Sequence, residues 1–322
     1  RFVWRYRHLV SPFVASKYRR GIHVRMLENL SSGSVSSTLQ DQALEAPNGI
    51  NLFGYVNAES GIGQSARSNI NNIMAAGIPL VVVDFRERNV SRMGASLPEG
   101  VLGEPRYNIN LFHFNADQTV ASITSIGSEV LRGRYNIGYW AWELPDFPDE
   151  WLSAINLLDE IWVPSDFCRE SIAAKANIPV VTMPHSIEEP PAPVTADPVC
   201  FDLPANGTRL LVMFDALSIP ERKNPLGAIE AFRRAKKEAG LDMHLVIKSS
   251  NLEACPEIAE KLRELASEDN NITLIDGYLT RKDVDHLIKS SDVFLSLHRS
   301  EGFGLGLAEA MMMGKAVIAT NW

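Results

Sequence analysis

The sequence predicts two tandem α/β domains, each built on a doubly wound parallel sheet. From residue 50 to the end of the 322-residue chain, short apolar runs alternate with amphipathic stretches. The apolar runs are continuous rather than alternating with polar residues, as in parallel strands that are buried on both faces. A proline-rich segment at 189–207 interrupts this order and divides it into two parts.

The predicted elements follow one another in βα order. Strands are predicted at 50–56, 78–84, 107–114, 135–140, 160–163, 179–183, 209–214, 243–248, 272–275, 293–297 and 316–319. Helices are predicted at 64–76, 116–131, 148–158, 166–176, 225–239, 256–266, 281–290 and 305–313. The chain is thus divided into a basic segment and linker (1–48), an N-terminal Rossmann-like domain (49–195) and a C-terminal Rossmann-like domain (196–322). The second domain is expected to be incomplete because the sequence stops directly after a predicted strand. A ligand cleft is expected between the domains, at the carboxyl ends of the strands.

Composition excludes several classes of protein. The formal net charge of −8 argues against a general nucleic-acid binder. Three cysteines are scattered without zinc or disulfide spacing. No apolar run reaches the length of a transmembrane helix. These observations predict a cytoplasmic protein.

Residues 1–25 carry seven basic residues with aromatic residues between them. Two interpretations stay open: a surface that makes peripheral contact with anionic lipid or with a partner, and a solvated connector. The sequence favours the connector, because the apolar residues do not keep helical spacing.

The run Glu301-Gly-Phe-Gly-Leu-Gly-Leu-Ala-Glu309 places two carboxylates eight positions apart across a glycine-rich turn. A strand is predicted before it and a helix after it, so Glu301 is expected in the loop and Glu309 in the helix. A helix that begins near Gly304 offers backbone N–H groups and a positive dipole end to an anion. If most of the run were helical, the carboxylates would lie roughly 12 Å apart. That span suits a nucleotide sugar.

Arg222 and Lys223 precede Asn224-Pro225, where the first helix of the second domain is predicted to begin. The helix dipole disfavours cations at this end, and a bound anion offsets that cost. The alternative is a solvated pair in a loop, but beside the glutamate run the pattern favours a site for a leaving diphosphate. Lys248, at the end of the next predicted strand, either joins this site or points to solvent.

Two further candidates follow strands of the first domain. Gly61 and Gly63 lie in the loop after the first strand, which is either a weak dinucleotide-binding pattern or a simple tight turn. His113 ends the third predicted strand. It is either a structural histidine or a group that meets a ligand at the strand end.

Two other patterns have structural alternatives. The run Trp140–Trp151 is dense in aromatic residues and contains Glu143, so it suits either a sugar ring or packing against a helix. Asp283-Val-Asp285 lies inside a predicted helix, with both acids on or near its solvent side. No metal site is therefore predicted.

From about residue 50 to the end, the chain resembles retaining glycosyltransferases of the GT-B fold, the glycosyltransferase group 1 (family four). The resemblance rests on the Glu301…Glu309 pair with its Gly-Phe-Gly core, the Arg222-Lys223-Asn-Pro turn and the tandem α/β halves. It implies metal-independent transfer of a sugar from a nucleotide diphosphate sugar to a glycan or lipid-linked acceptor. The nucleotide sugar is a substrate, so no cofactor is expected. Residues 49–195 would form the acceptor-side domain and 196–322 the nucleotide-sugar domain.

In the second domain the resemblance implies specific roles. Glu301 and the backbone of Gly302–Gly304, with Phe303 at its centre, would contact the donor sugar. Glu309 would accept from the ribose hydroxyls. Lys223 would hold the diphosphate with help from Arg222.

In the first domain, Gly61 and Gly63 would line the diphosphate, and His113 would match the histidine that many members place near the reacting carbon. The chain departs from the family at Ser218, where an arginine upstream of the lysine is usual. Arg222 would substitute for it from a different direction.

The sequence therefore predicts a hexosyltransferase of surface polysaccharide or lipopolysaccharide biosynthesis. A non-catalytic nucleotide-sugar- or glycan-binding module of a larger multi-domain protein stays open as an alternative, motivated by Ser218 and by the ends of the chain. A sugar-nucleotide epimerase is a third hypothesis, which the lack of an obvious acid–base pair disfavours.

Overall fold

The computed structural model of the chain describes residues 46–187, 189–190 and 194–321. The chain divides into two compact units, Arg1–Ser186 and Ile187–Trp322. The basic segment predicted at 1–25, its membrane contact and almost all of the predicted linker lie outside the described residues.

The first unit is built on a six-stranded parallel sheet. Its strands are β1 (Ile50–Gly54), β2 (Leu80–Asp84), β3 (Ile109–His113), β4 (Tyr135–Tyr139), β5 (Glu160–Val163) and β6 (Val180–Thr182), in the order β2-β1-β3-β4-β5-β6. Its helices are α1 (Gly61–Ala75), α2 (Ala116–Ile126) and α3 (Asp166–Ala173), with 3₁₀ segments at Ser128–Leu131 and Asp149–Leu157. Neighbouring residues of β1 belong to different cores, Leu52 to one and Phe53 to the other. Because successive strand residues point to opposite faces, the sheet is buried on both sides.

Local backbone conformation explains where helix predictions in this unit differ from the structure. The helix predicted at 116–131 ends at Ile126 because Gly127 has φ +110°, and a 3₁₀ segment follows. The helix predicted at 64–76 begins earlier, at Gly61, because the Ser60 hydroxyl caps it by accepting from the Gly63 N–H at 3.3 Å. The segment predicted as a helix at 148–158 is a 3₁₀ helix.

A row of buried asparagines sets the register of the first sheet. Asn51, Asn110 and Asn136 lie side by side in β1, β3 and β4. Asn51 donates to Asn110 at 2.9 Å, and Asn110 donates to Asn136 at 2.8 Å. The ends of the row bond to backbone groups. A buried polar row that is satisfied in this way holds the strands in one alignment.

The second unit is built on a five-stranded parallel sheet. Its strands are β7 (Thr208–Asp215), β8 (Met243–Ser250), β9 (Ile272–Asp276), β10 (Val293–Ser296) and β11 (Ala316–Ala319), in the order β11-β10-β7-β8-β9. Its helices are α4 (Pro220–Lys223), α5 (Pro225–Ala239), α6 (Pro256–Glu268), α7 (Arg281–Ser290) and α8 (Leu305–Met312), with 3₁₀ segments at Pro198–Phe201, Ala216–Ser218 and Leu252–Ala254. The predicted fold class, two tandem doubly wound parallel domains, is confirmed.

Each sheet has one point at which the strand order reverses. In the first sheet the reversal lies between β1 and β3, and in the second it lies between β7 and β10. In open α/β sheets, ligands bind in the crevice outside the carboxyl ends of the strands at such a point. The loops after β1, β3, β7 and β10 are therefore the first places to look for a site.

Candidate functional site

The loop after β7 contains a helical turn that the sequence did not predict. Arg222 and Lys223 lie in the last turn of the four-residue helix α4, and Asn224 ends it with φ +54°. The two cations also directly precede Asn224, the N-cap of the long helix α5, so their expected position before that helix is confirmed and the short helix α4 is the addition. Pro220 at the first position of α4 and Pro225 at the first position of α5 are the signals for two helices here.

The loops after β7 and β10 are joined by hydrogen bonds. The backbone N–H of Arg299 donates to the Arg222 carbonyl at 2.8 Å, and the Asn224 amide donates to the Leu297 carbonyl at 3.0 Å. The Arg222 guanidinium also donates to the Ser300 carbonyl at 3.0 Å. The two loops at the reversal point therefore hold the cations of one against the acid of the other.

Glu301 is the centre of this arrangement. Its Oε2 lies 2.7 Å from Lys223 Nζ, 2.8 Å from His298 Nδ1 and 3.6 Å from an Arg222 nitrogen. Burial alone would raise the pKa of this carboxyl, but the His298 hydrogen bond and the two cations outweigh burial and lower the pKa below its usual range. Glu301 is therefore ionised at neutral pH. Among the described residues, no group donates to its other oxygen, Oε1.

His298, which the sequence analysis does not single out, is a direct partner of Glu301. Burial lowers the pKa of His298 below 6.5 against the opposing effect of Glu301, so the imidazole is neutral at pH 7. Because Nδ1 faces a carboxylate oxygen, Nδ1 carries the proton and Nε2 is left as an acceptor. Its position at the end of β10, three residues before Glu301, is the signal that could have found it.

The turn between Glu301 and α8 has the predicted form. Gly304 has φ +86°, a conformation that favours glycine, and α8 begins at the next residue. Gly306 packs against the Phe294 ring, which an added Cβ would approach to 2.9 Å. The first N–H groups of α8 have no intrahelical acceptor, as at any helix start. The helix start thus lies directly after the Glu301 cluster in the chain.

Glu309 belongs to a second ion-pair cluster. Its Oε1 accepts from Arg281 at 2.5 Å, and the same guanidinium donates to Asp285 at 2.5 Å. The expectation that Asp285 faces solvent was wrong, because this residue is buried under the guanidinium. Burial raises the pKa of Glu309, Arg281 opposes that effect, and Asp285 adds to it.

Lys248 is buried rather than turned to solvent. Its Nζ donates to the Ser250 hydroxyl at 2.7 Å, and this hydroxyl is its only hydrogen-bond partner among the described residues. Burial lowers the pKa of Lys248, while the charge of Asp215 opposes the shift. The structure shows no hydrogen bond between the Lys248 side chain and Glu301.

The two glycines of the first unit differ in their surroundings. An added Cβ at Gly63 would lie 2.2 Å from the Ala58 carbonyl oxygen, whereas one at Gly61 would meet nothing within 4 Å. Gly63 is therefore required by the close approach of α1 to the loop after β1. Gly61, the first residue of α1, faces open space.

His113 lies at the reversal point of the first sheet but is closed off. It is 1% exposed, its Nε2 lies 2.8 Å from the Asn69 amide nitrogen, and its ring stacks on Tyr139 with centroids 4.3 Å apart. Burial, with a smaller effect of His185, lowers the pKa of His113 to about 3. The imidazole is neutral, and its contact with an acceptor stays a prediction.

A second imidazole completes this cluster. His185 Nδ1 lies 2.9 Å from the Ser65 hydroxyl and 3.0 Å from the Tyr139 hydroxyl. Burial lowers the pKa of His185 to about 4. We call the group Ser65, Asn69, His113, Tyr139 and His185 the imidazole cluster.

The aromatic run after β4 packs on itself. The Trp140 and Phe147 rings stack at 5.9 Å, and the Trp142 and Trp151 rings meet edge to face at 5.0 Å. Trp140 and Trp142 are buried. The structure shows that these aromatic side chains pack against one another, as the structural interpretation of this run predicted.

The described part of the chain contains no group of three or more His, Cys, Asp or Glu side chains placed to hold a metal ion. Its helices were also compared with the length and hydropathy of a bilayer-crossing segment, and none of those described meets both requirements.

The second unit is thus a doubly wound domain that brings two cations, a carboxylate and a helix start together at its reversal point. Residues 204–322 match the family model of glycosyl transferases group 1. This match over the second unit agrees with the resemblance on which the sequence prediction rests. No curated protein sequence is significantly similar to the chain.

Solved structures support the fold assignment. A glycosyltransferase from Rickettsia africae is 14% identical with a TM-score of 0.57, over 86% of this chain and 80% of that one. Anabaena HepE in complex with UDP-glucose is 14% identical with a TM-score of 0.55, over 84% and 79%. S. aureus TarM in complex with UDP is 13% identical with a TM-score of 0.50, over 66% of this chain and 41% of that one. The chain spans 42% of pneumococcal O-GlcNAc transferase GtfA, also less than half of the relative's length. At these identities the likeness shows the fold alone, and the predicted GT-B fold is confirmed.

Proposed function

We propose that this protein is a metal-independent, retaining glycosyltransferase that moves a hexose from a nucleotide diphosphate sugar to a glycan or lipid-linked acceptor. Its place would be in surface polysaccharide or lipopolysaccharide biosynthesis. The observation that carries the proposal is the convergence of Lys223, Arg222 and His298 on Glu301 at the reversal point of the second sheet. The family match of residues 204–322 and the UDP-glucose that HepE holds support a nucleotide sugar as the donor.

The chemical task of such a site is to stabilise a departing diphosphate. Negative charge grows on the diphosphate as its bond to the sugar breaks, and preorganised cations and N–H dipoles stabilise that charge. Lys223 and Arg222 are held in a rigid turn, and the start of α8 adds its N–H groups. The Lys223 ammonium has three N–H donors, so one can stay on Glu301 while another meets a phosphate oxygen.

Glu301 would orient the sugar rather than attack it. One of its oxygens is occupied by Lys223 and His298, and the other, which no described residue donates to, would accept from a sugar hydroxyl. A carboxylate held in this way is a poor nucleophile, so the acceptor hydroxyl would enter on the face that the diphosphate leaves. The remaining roles follow the family resemblance: Glu309 for the ribose, and the Gly302–Gly304 backbone for the donor sugar.

The other candidate residues have supporting roles in this proposal. Lys248, a buried cation whose partner is a neutral hydroxyl, is well suited to a phosphate oxygen. Gly61 faces open space at the start of α1, where a diphosphate would approach the backbone. His113 would reach an acceptor only if Asn69 or Tyr139 moved away from its ring.

The test measures hydrolysis and transfer with a panel of uridine, guanosine and adenosine diphosphate hexoses. The double variant Lys223→Ala/Glu309→Ala is expected to lose turnover by at least about 100-fold. Arg234→Ala, which removes an exposed cation paired with Glu238 on α5, is the matched control. Normal rates in the double variant would end the assignment.

Calorimetry separates the proposal from a binding module. Tight nucleotide binding without turnover on any acceptor would favour the non-catalytic module. Product analysis without an acceptor would reveal an epimerase, because the sugar would then change while still attached to its nucleotide.

A further inference from the structure

Arg281 connects two helices through two acids, Asp285, which is buried, and Glu309, which is mostly covered. It is the first residue of α7, and its guanidinium donates to Glu309 in α8 at 2.5 Å and to Asp285 in α7 at 2.5 Å. The exposed fractions are 12% for the Glu309 side chain, 6% for Asp285 and 46% for Arg281. The two carboxylates are thus less exposed than the cation that joins them.

This arrangement differs from an ordinary surface ion pair. A guanidinium is planar and always charged, so bonds from two of its nitrogens fix both acids in one geometry. Asp285 lies one turn after Arg281 on the same helix and anchors the guanidinium, because the two belong to one rigid element. Glu309, on the other helix, is the group whose position depends on the bridge.

The bridge uses only one of the two oxygens of Glu309. Arg281 occupies Oε1, and nothing in the described part of the chain donates to Oε2. Burial favours the neutral acid at this position, and the adjacent cation is what opposes it. Arg281 therefore fixes the position of the Glu309 carboxyl group, and Oε2 accepts no hydrogen bond from the described residues.

The location of the bridge fits a ligand at the crevice. α7 begins after the carboxyl end of β9, and α8 begins after the turn that follows Glu301, so both helix starts lie at the carboxyl edge of the sheet. Arg281 is in the first turn of α7, on the side from which a ligand at this edge would arrive.

We propose that Arg281 is a positioning residue for ribose recognition, which makes the site select ribonucleotide over 2′-deoxyribonucleotide donors. The bridge presents the free oxygen of Glu309 to a ribose hydroxyl, and a donor without that hydroxyl leaves the carboxylate unpaired. The inference rests on the proposed function, since it needs a nucleotide in the second unit.

The experiment measures the affinity of the full chain for uridine, guanosine and adenosine 5′-diphosphates and for their 2′-deoxy counterparts. The unaltered protein is expected to prefer the ribose form of its nucleotide by about tenfold or more. Glu309→Gln is expected to reduce this preference to about one- to threefold. The double variant Arg281→Ala/Asp285→Asn is expected to do the same, and its second change removes the buried charge that Arg281→Ala alone would leave unpaired.

Two further variants separate positioning from general damage. Arg281→Lys keeps a cation but not the planar guanidinium that bonds both acids at once. We expect it to retain an intermediate preference for the ribose form of the nucleotide. Arg263→Ala removes an exposed arginine that pairs with Asp276 at 2.6 Å, and it should leave the preference unchanged. Circular dichroism and thermal unfolding confirm that each variant is folded.

The outcomes separate a failure of this inference from a failure of the proposed function. A folded Arg281→Ala/Asp285→Asn variant that keeps the full ribose preference overturns this inference and leaves the proposed function standing. The inference is likewise overturned if adding Glu309→Gln to that variant lowers the preference further. An unaltered protein that binds none of the nucleotides overturns both.

Discussion

The reversal points of the two sheets have the same topology and different chemistry. In the first unit the crevice is occupied by the imidazole cluster, whose two histidines are neutral and whose His113 is closed to solvent. In the second unit the corresponding place holds Lys223, Arg222 and Glu301, all charged and all partly open. Topology therefore marks where a ligand can bind, and side-chain charge decides whether an anion is stabilised there.

The difference also explains why a carboxylate accompanies the two cations in the second unit. Lys223 and Arg222 are neighbours in one turn. Two cations repel each other strongly where little solvent screens their charges. Glu301 compensates for that repulsion, because its carboxylate lies within 2.7 Å of Lys223 and 3.6 Å of Arg222. A neutral cluster needs no such counter-ion and can be fully buried at low cost once its hydrogen bonds are made.

The largest expected effect sharpens this comparison directly. Lys223→Ala removes the cation that we propose to contact the diphosphate and leaves the partly exposed Glu301 without one of its partners. We expect it to weaken binding of the preferred nucleoside diphosphate by about 100-fold, measured by calorimetry. His185→Gln, in the imidazole cluster, is expected to change that affinity by less than about threefold, as an uncharged perturbation.

The comparison breaks if both substitutions weaken nucleotide binding equally. Thermal unfolding of both variants is the control, because His185→Gln alters hydrogen bonds to Ser65 and Tyr139. Only variants that remain folded at the temperature of the calorimetry are compared.

Gly61 and Gly63, both at the start of α1, test whether the close packing of this helix depends on one glycine or on both. Gly63→Ala forces a Cβ to within 2.2 Å of the Ala58 carbonyl oxygen, so α1 must move. We expect the free energy of unfolding to fall by about 3 kcal/mol. Gly61→Ala meets nothing within 4 Å and adds a better helix former, so its effect should be within about 1 kcal/mol. Urea denaturation measures both, and equal losses would contradict the packing role of Gly63.

The row of buried asparagines lies near the opposite end of the same strands, and its contribution to stability can be tested separately. Asn110→Leu leaves the Asn136 carbonyl oxygen without the amide that donates to it and removes the acceptor of the Asn51 amide. We expect a loss of about 2 kcal/mol in the free energy of unfolding, because buried polar groups are left unpaired. Nucleotide affinity at a temperature where the variant is folded should stay unchanged. A matching loss of affinity would show that the row influences the binding site.

Much of the fold follows from local patterns, and less of the site does. The bounds of β5, β11, α5 and α7 agree with the sequence prediction, since continuous apolar runs and helix-capping residues define them. The prediction failed at Gly127 and within the loop 216–224, where single backbone conformations decide whether a helix stops or a new turn begins.

The site was predictable to the extent that strand ends mark it. Strand order and the glycine turn put Glu301 and Lys223 in neighbouring loops, although the two are 78 positions apart. The bridge from Arg281 to Glu309 spans 28 positions, and no local signal pairs them. The closure of His113 was equally hidden, because it depends on Asn69 and Tyr139 from other elements.

The smallest expected effect concerns the acid stability of the imidazole cluster. Burial lowers the pKa of His185 to about 4 and of His113 to about 3, against an ordinary value near 6.5 in the unfolded chain. Between these values the unfolded state binds more protons, so stability is full above about pH 6.5 and falls as the pH decreases. Each imidazole contributes a slope of up to about 1.4 kcal/mol per pH unit. Urea denaturation from pH 7 to pH 5 measures how the free energy of unfolding changes with pH. His113→Gln and His185→Gln should each reduce this slope by up to about 1.4 kcal/mol per pH unit. An unchanged slope in both variants would mean that folding does not lower the pKa of these rings, and the buried, neutral character of the first crevice would then be wrong.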